Sequence, residues 1–199
     1  MILLLAAALA QTYSFPTSEE DHPHFYPTAY YDSGGRDWSC GSFYYSGHTG
    51  QDFGVGSWAG MDAGRDVTAA AFGQVVYVHD GEFDRCTTGA CGTSNSVRIQ
   101  HPDGRQTWYV HLKRWSILVD LGDIVWCGQK IGEVGSSGYS TGPHLHFTVY
   151  TTSTRDAFQG SCSASPGYWT SQGAYRAVPA RTCSYDAQPE LMLGAALGG

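Results

Sequence analysis

The sequence predicts an all-β protein: a compact antiparallel β-sheet domain, built as a sandwich or an open barrel, with a disulfide-closed C-terminal extension. The composition is rich in glycine and tyrosine, with 26 and 13 of 199 residues, while charged residues make up only 15%. Between Asp37 and Tyr150 the apolar residues recur with a period of two or in short β-branched runs, which is typical of strands. This composition excludes a long-helix or coiled-coil protein, which would be rich in Ala, Glu, Lys and Leu.

The predicted strands follow one another closely along this dense region. They cover residues 71–78, 96–100, 107–112, 117–119, 124–126, 130–134 and 145–150. Turn-forming residues separate them, among them Asp80-Gly81 and Gly122-Asp123, since glycine tolerates a positive φ and aspartate favours turns. The segment Pro102-Asp103-Gly104 between two alternating runs predicts a β-hairpin.

The flanking segments differ from this domain, predicted as 37–150, in composition. Residues 1–10 resemble a signal peptide: the apolar run is shorter than the about 20 residues of a membrane span, and Ala8-Leu9-Ala10 fits a cleavage pattern. No Lys or Arg precedes Arg36, so a disordered apolar N-terminus is the alternative. Residues 11–36 are predicted as an extended lead-in or short pro-segment, 151–187 as the disulfide-closed extension and 188–199 as a mobile tail.

Cysteine usage predicts three disulfides and an oxidising compartment, hence a secreted, extracellular or periplasmic protein. The sequence has six cysteines and no Cys-x2-Cys pair, which disfavours a cysteine zinc site. Cys86–Cys91 would close a short turn, and Cys162–Cys183 would close the C-terminal segment. Elimination then leaves Cys40–Cys127.

The net charge of −7 argues against a nucleic-acid partner, because phosphate binding needs a basic surface. With no apolar run long enough to span a membrane, no membrane span is expected. We expect a monomer.

Histidines mark three segments as candidates for chemistry. His48 and Asp52 lie four residues apart in a glycine-rich stretch, and His111 ends a predicted strand. His144 and His146 are two apart on another strand, so both imidazoles project from one face. Each segment alone also fits ordinary structure: a capping Asp beside a surface His, a core His bonded to a carbonyl, or a surface pair.

Together the three segments predict a metal site, because two neighbouring imidazoles stay neutral most easily when they bind a metal. A carboxylate and two imidazoles are zinc ligands, and three protein ligands leave a fourth position open, as in catalytic zinc sites. No Gly-Lys-Ser/Thr follows the Gly135–Gly142 loop, so phosphate binding is disfavoured. We expect that loop to position Pro143 and the two histidines behind it.

The ordered set His48-x3-Asp52, Tyr-x-His111-Leu and Gly-Pro-His144-Leu-His146-Phe resembles the LytM/lysostaphin-type zinc metallopeptidases, peptidase family M23. Further segments resemble the family in the same order: residues 73–77, 97–104, 122–125, 128–132 and 135–138. The resemblance covers about residues 48–150, roughly half of the chain.

The resemblance implies a small antiparallel β-domain that binds one Zn²⁺ per chain through His48, Asp52 and His146. It implies that His111 and His144 assist catalysis without binding the metal. The implied function is that of a secreted metalloendopeptidase hydrolysing the stem peptide or cross-bridge of bacterial peptidoglycan. The alternative is a non-catalytic zinc-containing module that binds or regulates the cell wall; because inactive relatives lack one or more of these five residues, their presence favours the enzyme.

Two further groups of residues carry expectations. Thr148 stands where many family members have Glu, at a position that is not a ligand. Tyr44 and Tyr45 precede His48 and are candidate oxyanion donors or groove walls, with ordinary aromatic packing as the alternative. His79 and His101 lie beside turns and are expected to be exposed, and His22 and His24 are expected in a solvated segment.

Overall fold

Residues 11–183, the part of the chain that the computed structural model describes, contain ten short strands and two short helical segments joined by loops. The strands are β1 (Tyr26–Ala29), β2 (Gln51–Gly54), β3 (Asp66–Thr68), β4 (Gly73–His79), β5 (Ser96–Gln100), β6 (Gln106–Val110), β7 (Ile124–Val125), β8 (Lys130–Glu133), β9 (His144–Tyr150) and β10 (Thr154–Arg155). A 3₁₀ turn spans His22–His24, and the helix α1 spans Trp58–Asp62.

The main sheet is antiparallel throughout and is not closed into a barrel. Its order is β1-β2-β9-β6-β5-β4-β7, with β10 pairing beside β2 along β9. A second, two-stranded sheet pairs β3 with β8. The predicted all-β antiparallel class is confirmed, as is the hairpin at Pro102-Asp103-Gly104, which joins β5 to β6.

Alternation along the central strands separates a buried face from an open face. On β6 and β9 the inward residues Tyr109, Leu145 and Phe147 are fully buried, and Val97 and Ile99 join them from β5. The intervening side chains point to the other face, as a period of two requires. The core therefore fixes which side chains of β9 reach the open face, and these include His144 and His146.

Two features of the secondary structure differ from the predicted strands. Residues 117–119 form a loop instead of a strand: Leu118 N–H donates to Ile131 O, and of the three side chains only Val119 is buried, while Leu118 is exposed. The apolar run therefore reflects the packing of Val119 and not a strand. Strands β1, β2, β3 and β10 and helix α1 were not predicted, because each is two to five residues long and too short to carry a period.

Residues 11–36 are built into the domain, so no structural boundary separates them from the predicted domain that begins at residue 37. Tyr13 and Phe15 are buried in the core, and β1 pairs with β2 in the main sheet. Tyr13 also bonds to the C-terminal segment: its N–H donates to Tyr168 O, and Tyr13 pairs with Trp169. The segments around Tyr13 and Trp169 thus lie side by side.

Two of the predicted disulfides are wrong. The structure pairs Cys40 with Cys162 and Cys127 with Cys183, at Cα–Cα distances of 5.1 and 5.8 Å, in place of Cys162–Cys183 and Cys40–Cys127. The physical reason is that the C-terminal segment folds back across the domain. Cys162 N–H donates to Trp38 O, which brings Cys162 beside Cys40. The extension is therefore tethered to the domain and not closed on itself.

The third disulfide joins Cys86 to Cys91 across five positions, as the sequence suggested. Its loop bonds to the segment before β9: Cys86 N–H donates to Ser136 O and Cys91 N–H to Gly138 O. The predicted signal peptide and mobile tail (188–199) lie outside the described residues. Within residues 11–183, no helix has both the length and the apolar character needed to cross a bilayer.

Candidate metal centre

Two strands bring Asp52 and His146 together. Asp52 of β2 and His146 of β9 are directly paired in the antiparallel register, so their side chains stand side by side. Asp52 Oδ1 lies 2.8 Å from His146 Nδ1. His48 sits in the turn before β2, and its Nε2 lies 3.1 Å from Asp52 Oδ1 and 3.2 Å from His146 Nδ1. Three donor atoms from the two predicted segments thus converge.

Backbone carbonyls and one hydroxyl determine which ring nitrogens face this point. His48 Nδ1 donates to Tyr30 O at 2.6 Å, which leaves Nε2 unprotonated in the neutral ring. His146 Nε2 donates to Thr148 Oγ1 at 2.9 Å, because the hydroxyl of Thr148 donates its own proton to Thr49 O. His146 Nδ1 is therefore unprotonated too. Such outer contacts orient metal ligands in proteins.

Gly50 leaves room for this arrangement. A Cβ at position 50 would collide with Thr148 Oγ1 and with the ring of His146. Glycine is thus required here by the close approach of the two side chains and not by a strained backbone.

The electrostatics of the cluster favour an ionised carboxylate and a neutral imidazole. Burial alone would raise the pKa of Asp52, but the adjacent His146 and His48 side chains outweigh it and hold that pKa well below its usual range. Burial lowers the pKa of His146, although Asp52 opposes the shift. Asp52 is 5% exposed and His48 3%, so water screens these charges little.

The cluster fits a zinc ion. Two unprotonated ring nitrogens and one carboxylate oxygen lie 2.8–3.2 Å from one another, and three lone pairs that close repel unless a cation lies among them. Tetrahedral ligands of zinc at about 2.0–2.1 Å are separated by about 3.3 Å. Two imidazoles and a carboxylate are a known zinc donor set. His48, Asp52 and His146 are the one such group of His, Cys, Asp and Glu donors found within residues 11–183.

His111 and His144 lie beside the cluster, and within residues 11–183 neither ring makes a hydrogen bond through Nε2. His111 Nδ1 donates to Ser137 O at 2.7 Å, and His144 Nδ1 donates to Gly142 O at 2.8 Å. In both rings Nε2 is left as an acceptor. The two ring centroids are 4.7 Å apart, and His144 Nε2 is 3.6 Å from Asp52 Oδ1.

Burial lowers the pKa of His111 to about 3, and the neighbouring His144 and His146 add to the effect. His111 therefore stays neutral at pH 7. Its backbone φ of 66° lies in the left-handed region, where non-glycine residues are uncommon. The loop that accepts its hydrogen bond is the Gly135–Gly142 loop, which was expected to position Pro143 and the two histidines behind it and which also binds His111.

Two cavities flank the cluster. One of about 560 Å³ opens over the sheet beside His48, His111 and His146, and one of about 370 Å³ opens beside Asp52 and His144. Both are lined by the ring of Tyr45. The five candidate residues thus form the middle of a groove that is open on both sides, which suits an extended chain.

The two tyrosines before His48 have different positions. Tyr45 stacks on His48 with ring centroids 4.2 Å apart, and its hydroxyl donates to Asp52 Oδ2 at 3.3 Å. Burial and the nearby Asp52 charge raise the pKa of Tyr45, so the phenol keeps its proton. Tyr44 lies apart from the cluster and donates to Gly35 O. The sequence grouped these two residues, and the structure brings only Tyr45 to the groove.

The other histidines play no part in the cluster. The expectation that His101 is exposed is wrong: it is 2% exposed and bonds to Phe72 O and Thr107 Oγ1, because the hairpin turn packs against the core. His79 is half-buried and bonds to Glu82. His22 bonds to Pro179 O, and His24 is exposed. Sequence reasoning missed Thr148 as a partner of His146, and only the His-x-Thr spacing on one strand face could have indicated it.

Known relatives share this region of the chain. The glycyl-glycine endopeptidase ALE-1 of Staphylococcus capitis is 40% identical over 77 residues, which are 38% of this chain and 21% of the relative. The peptidoglycan DD-endopeptidase ShyA of Vibrio cholerae is 36% identical over 102 residues, which are 51% of this chain and 20% of the relative. The matched stretch is thus about a fifth of each relative's length.

Comparison of structures and of family models agrees with these relatives. A zinc-containing peptidase from Vibrio cholerae superposes with a TM-score of 0.53 at 25% identity, covering 76% of this chain and 41% of the other. The model of peptidase family M23 matches residues 46–157, which include all five candidate residues and more than half of the chain. The chain therefore belongs to peptidase family M23.

Proposed function

We propose that this protein is a secreted zinc metalloendopeptidase that hydrolyses peptide bonds in bacterial peptidoglycan. The observation that carries the proposal is the convergence of His48 Nε2, Asp52 Oδ1 and His146 Nδ1 beside two further histidines in an open groove. Membership of a peptidase family supports it. The activities for which ALE-1 and ShyA are named, a glycyl-glycine and a peptidoglycan endopeptidase, indicate the substrate class.

In this mechanism His48, Asp52 and His146 hold one zinc ion. When bound, zinc polarises the scissile carbonyl and makes water a better nucleophile at neutral pH. The protein's own contribution is to present three unprotonated donors. Tyr30 O and Thr148 Oγ1 do this by accepting hydrogen bonds from the ring N–H groups of His48 and His146 that face away from the cluster, and the Tyr45 hydroxyl donates to the second oxygen of Asp52.

His111 and His144 divide the proton work. His111 stays neutral, and its Nε2 accepts a hydrogen bond from the attacking water and so orients it. His144 Nε2 takes the proton, because Asp52 Oδ1 at 3.6 Å stabilises the resulting imidazolium. The same nitrogen then gives the proton to the leaving amine as the peptide bond breaks. Histidine suits both steps since its unperturbed pKa of about 6.5 is close to neutral.

The test is digestion of purified peptidoglycans of different cross-bridge types, with mass analysis of the new termini. We expect new amino and carboxyl termini in matched amounts, loss of cleavage on chelation and recovery on adding Zn²⁺. His24→Ala is a suitable control variant, because His24 is exposed and outside the cluster. Binding of the wall by the zinc-loaded protein without new termini contradicts the enzyme and favours a non-catalytic module.

A further inference from the structure

The open face of the main sheet carries a second row of side chains next to the row that holds the metal cluster. The registers align Tyr77, Arg98, Trp108 and Thr148 across β4, β5, β6 and β9. The neighbouring row contains Val110 and His146, which are directly paired. Tyr77, Trp108 and Thr148 line the same cavity as His48, His111 and His146. The second row is therefore the next part of the groove floor.

Arg98 lies in this row among aromatic rings. Its guanidinium carbon is 4.0 Å from the centre of the Trp108 ring, 5.8 Å from that of Tyr77 and 5.9 Å from that of Tyr150. Within residues 11–183 no carboxylate pairs with it, whereas Arg65, Arg85 and others each have an acidic partner. Its Nε is buried and has no acceptor in this part of the chain.

Two residues near Arg98 also have a buried polar atom without a hydrogen-bond partner. Within residues 11–183, the donor Trp108 Nε1 has no acceptor and the acceptor Gln106 Oε1 has no donor. These and Arg98 Nε are three of the seven buried side-chain polar atoms in the described residues that lack a partner; Arg98 and Trp108 are directly paired across β5 and β6, and Gln106 lies two residues from Trp108 along β6. Buried polar groups are normally satisfied, so their concentration at one end of a groove points to a ligand that supplies the missing partners.

We propose that Arg98 and Trp108 form a subsite that binds a carboxylate of the substrate. The inference rests on the proposed function for its choice of ligand, a peptide lying in the groove. The planar guanidinium presents donors in a fork that matches two carboxylate oxygens, and the indole N–H is a further donor. Gln106 Oε1 accepts from a backbone amide of the same peptide. The Arg98 guanidinium stacks on the Trp108 ring, which holds the guanidinium in place. It also covers the face of the ring on which a sugar would have to stack.

The position of the subsite relative to the metal cluster selects among substrates. Arg98 is two strands and two residues away from His146, which corresponds to about 12 Å between their Cα atoms. An extended peptide covers that distance in about three or four residues. The subsite therefore favours a stem peptide with an acidic group at that spacing from the cut over an all-glycine cross-bridge, which carries no side-chain carboxylate.

The experiment measures binding and cleavage with matched peptides. The probes are N-acetylated hexaglycine amides in which Glu or Gln replaces one glycine at a time. We expect the zinc-loaded protein to bind one Glu peptide about 10- to 100-fold more tightly than its Gln counterpart, the usual range for a hydrogen bond to a charged group. Arg98→Gln should abolish the difference, and Arg98→Lys, which keeps charge without the fork, should restore part of it.

Arg114→Gln is the matched control, because Arg114 also stacks on a tryptophan, Trp115, at 5.3 Å but on an exposed surface outside the groove. It should keep the full difference. Should Arg98→Gln fail to fold, the Nε–H resonance of Arg98 in the unaltered protein should shift with the Glu peptide and not with the Gln peptide. Equal binding of every Glu and Gln pair, or a preference that survives Arg98→Gln, overturns the subsite.

Binding separates this inference from the proposed function. Peptidoglycan cleavage with no preference for Glu at any position leaves the peptidase intact and removes the subsite. A preference for Glu that depends on Arg98, without cleavage of any peptidoglycan, supports the subsite and contradicts the peptidase. Loss of binding to a neutral N-acetylglucosamine tetramer in Arg98→Gln, with Glu and Gln peptides bound equally, assigns the surface to glycan and overturns the carboxylate.

Discussion

Thr148 Oγ1 lies 2.9 Å from His146 Nε2 and at the same time donates to Thr49 O at 3.0 Å. A hydroxyl has one proton, so this pair of contacts requires that His146 donates to Thr148. The proton of His146 is thereby fixed on Nε2, and the unprotonated Nδ1, whose lone pair is free to bind a metal, faces His48 and Asp52. One hydroxyl two residues along the strand thus determines the tautomer of a proposed zinc ligand.

The first prediction follows from this contact. Thr148→Val keeps the shape of the side chain and removes the acceptor, so Nδ1 and Nε2 of His146 compete for the ring proton. We expect zinc affinity to fall by about 10- to 100-fold, the usual cost of losing an outer contact to a ligand. Competition with a chromophoric chelator measures it. Thr148→Ser, which keeps the hydroxyl, should retain affinity, and equal affinities in both variants would contradict the role.

The second prediction separates proposed ligands from proposed catalytic groups. His146→Ala removes one of three metal donors, so bound zinc and cleavage should both be lost. His144→Ala should keep zinc and the fold, with a rate about 10²–10⁴-fold lower, as for loss of a general acid–base group. Metal analysis and peptidoglycan digestion, side by side, provide the readout. Zinc retained in His146→Ala but lost in His144→Ala would reverse the assigned roles.

The third prediction concerns the two long-range disulfides. Peptide mapping without reduction should recover Cys40 linked to Cys162 and Cys127 linked to Cys183. The first spans 122 positions, so its replacement by a pair of serines should lower the free energy of unfolding by about 4–5 kcal/mol on the chain-entropy estimate. Replacing Cys86 and Cys91, five positions apart, should cost only about 2 kcal/mol. A reversed order of the two effects, measured by denaturant unfolding, would argue against the pairing.

The fourth prediction is a pH dependence of stability at Asp37. Burial alone would raise the pKa of Asp37, but hydrogen bonds from Tyr175 Oη and from the N–H groups of Gly41, Phe43 and Ser39 outweigh it and lower that pKa. A lowered folded-state pKa stabilises the fold above the unfolded value of about 3.9. The contribution is lost as the pH falls from there through the folded-state pKa.

Denaturant unfolding of the natural protein and of Asp37→Asn across pH 2–7 checks this. The natural protein should be the more stable near neutral pH, and the difference should shrink once the pH drops below about 4. Asp120→Asn is the control, because Asp120 is exposed and its side chain makes no hydrogen bond within residues 11–183. A difference between Asp37→Asn and the natural protein that is independent of pH would show that packing, and not charge, stabilises this turn.

The amino-acid sequence alone predicted those features that depend on nearby residues. Alternation places Val97 and Ile99 on the inward face of β5, and His144 and His146 on one face of β9, whatever the strand order. The hairpin turn at residues 102–104 and the short Cys86–Cys91 loop are local in the same sense. The set of five histidine and aspartate residues was also evident, because their order along the chain resembles one family.

Only the tertiary structure decided what depends on segments far apart in the chain. Cys162 meets Cys40 and not Cys183 because the C-terminal segment packs back onto Trp38. His101 is buried, although its neighbours are turn residues, because the hairpin packs on the segment of Phe72, whose carbonyl oxygen bonds to the His101 ring. Periodicity records which face of a strand is apolar, but it carries no information on strand order. The order of β5, β6 and β9 is what sets Arg98 beside Trp108, in the row next to the one that holds His146.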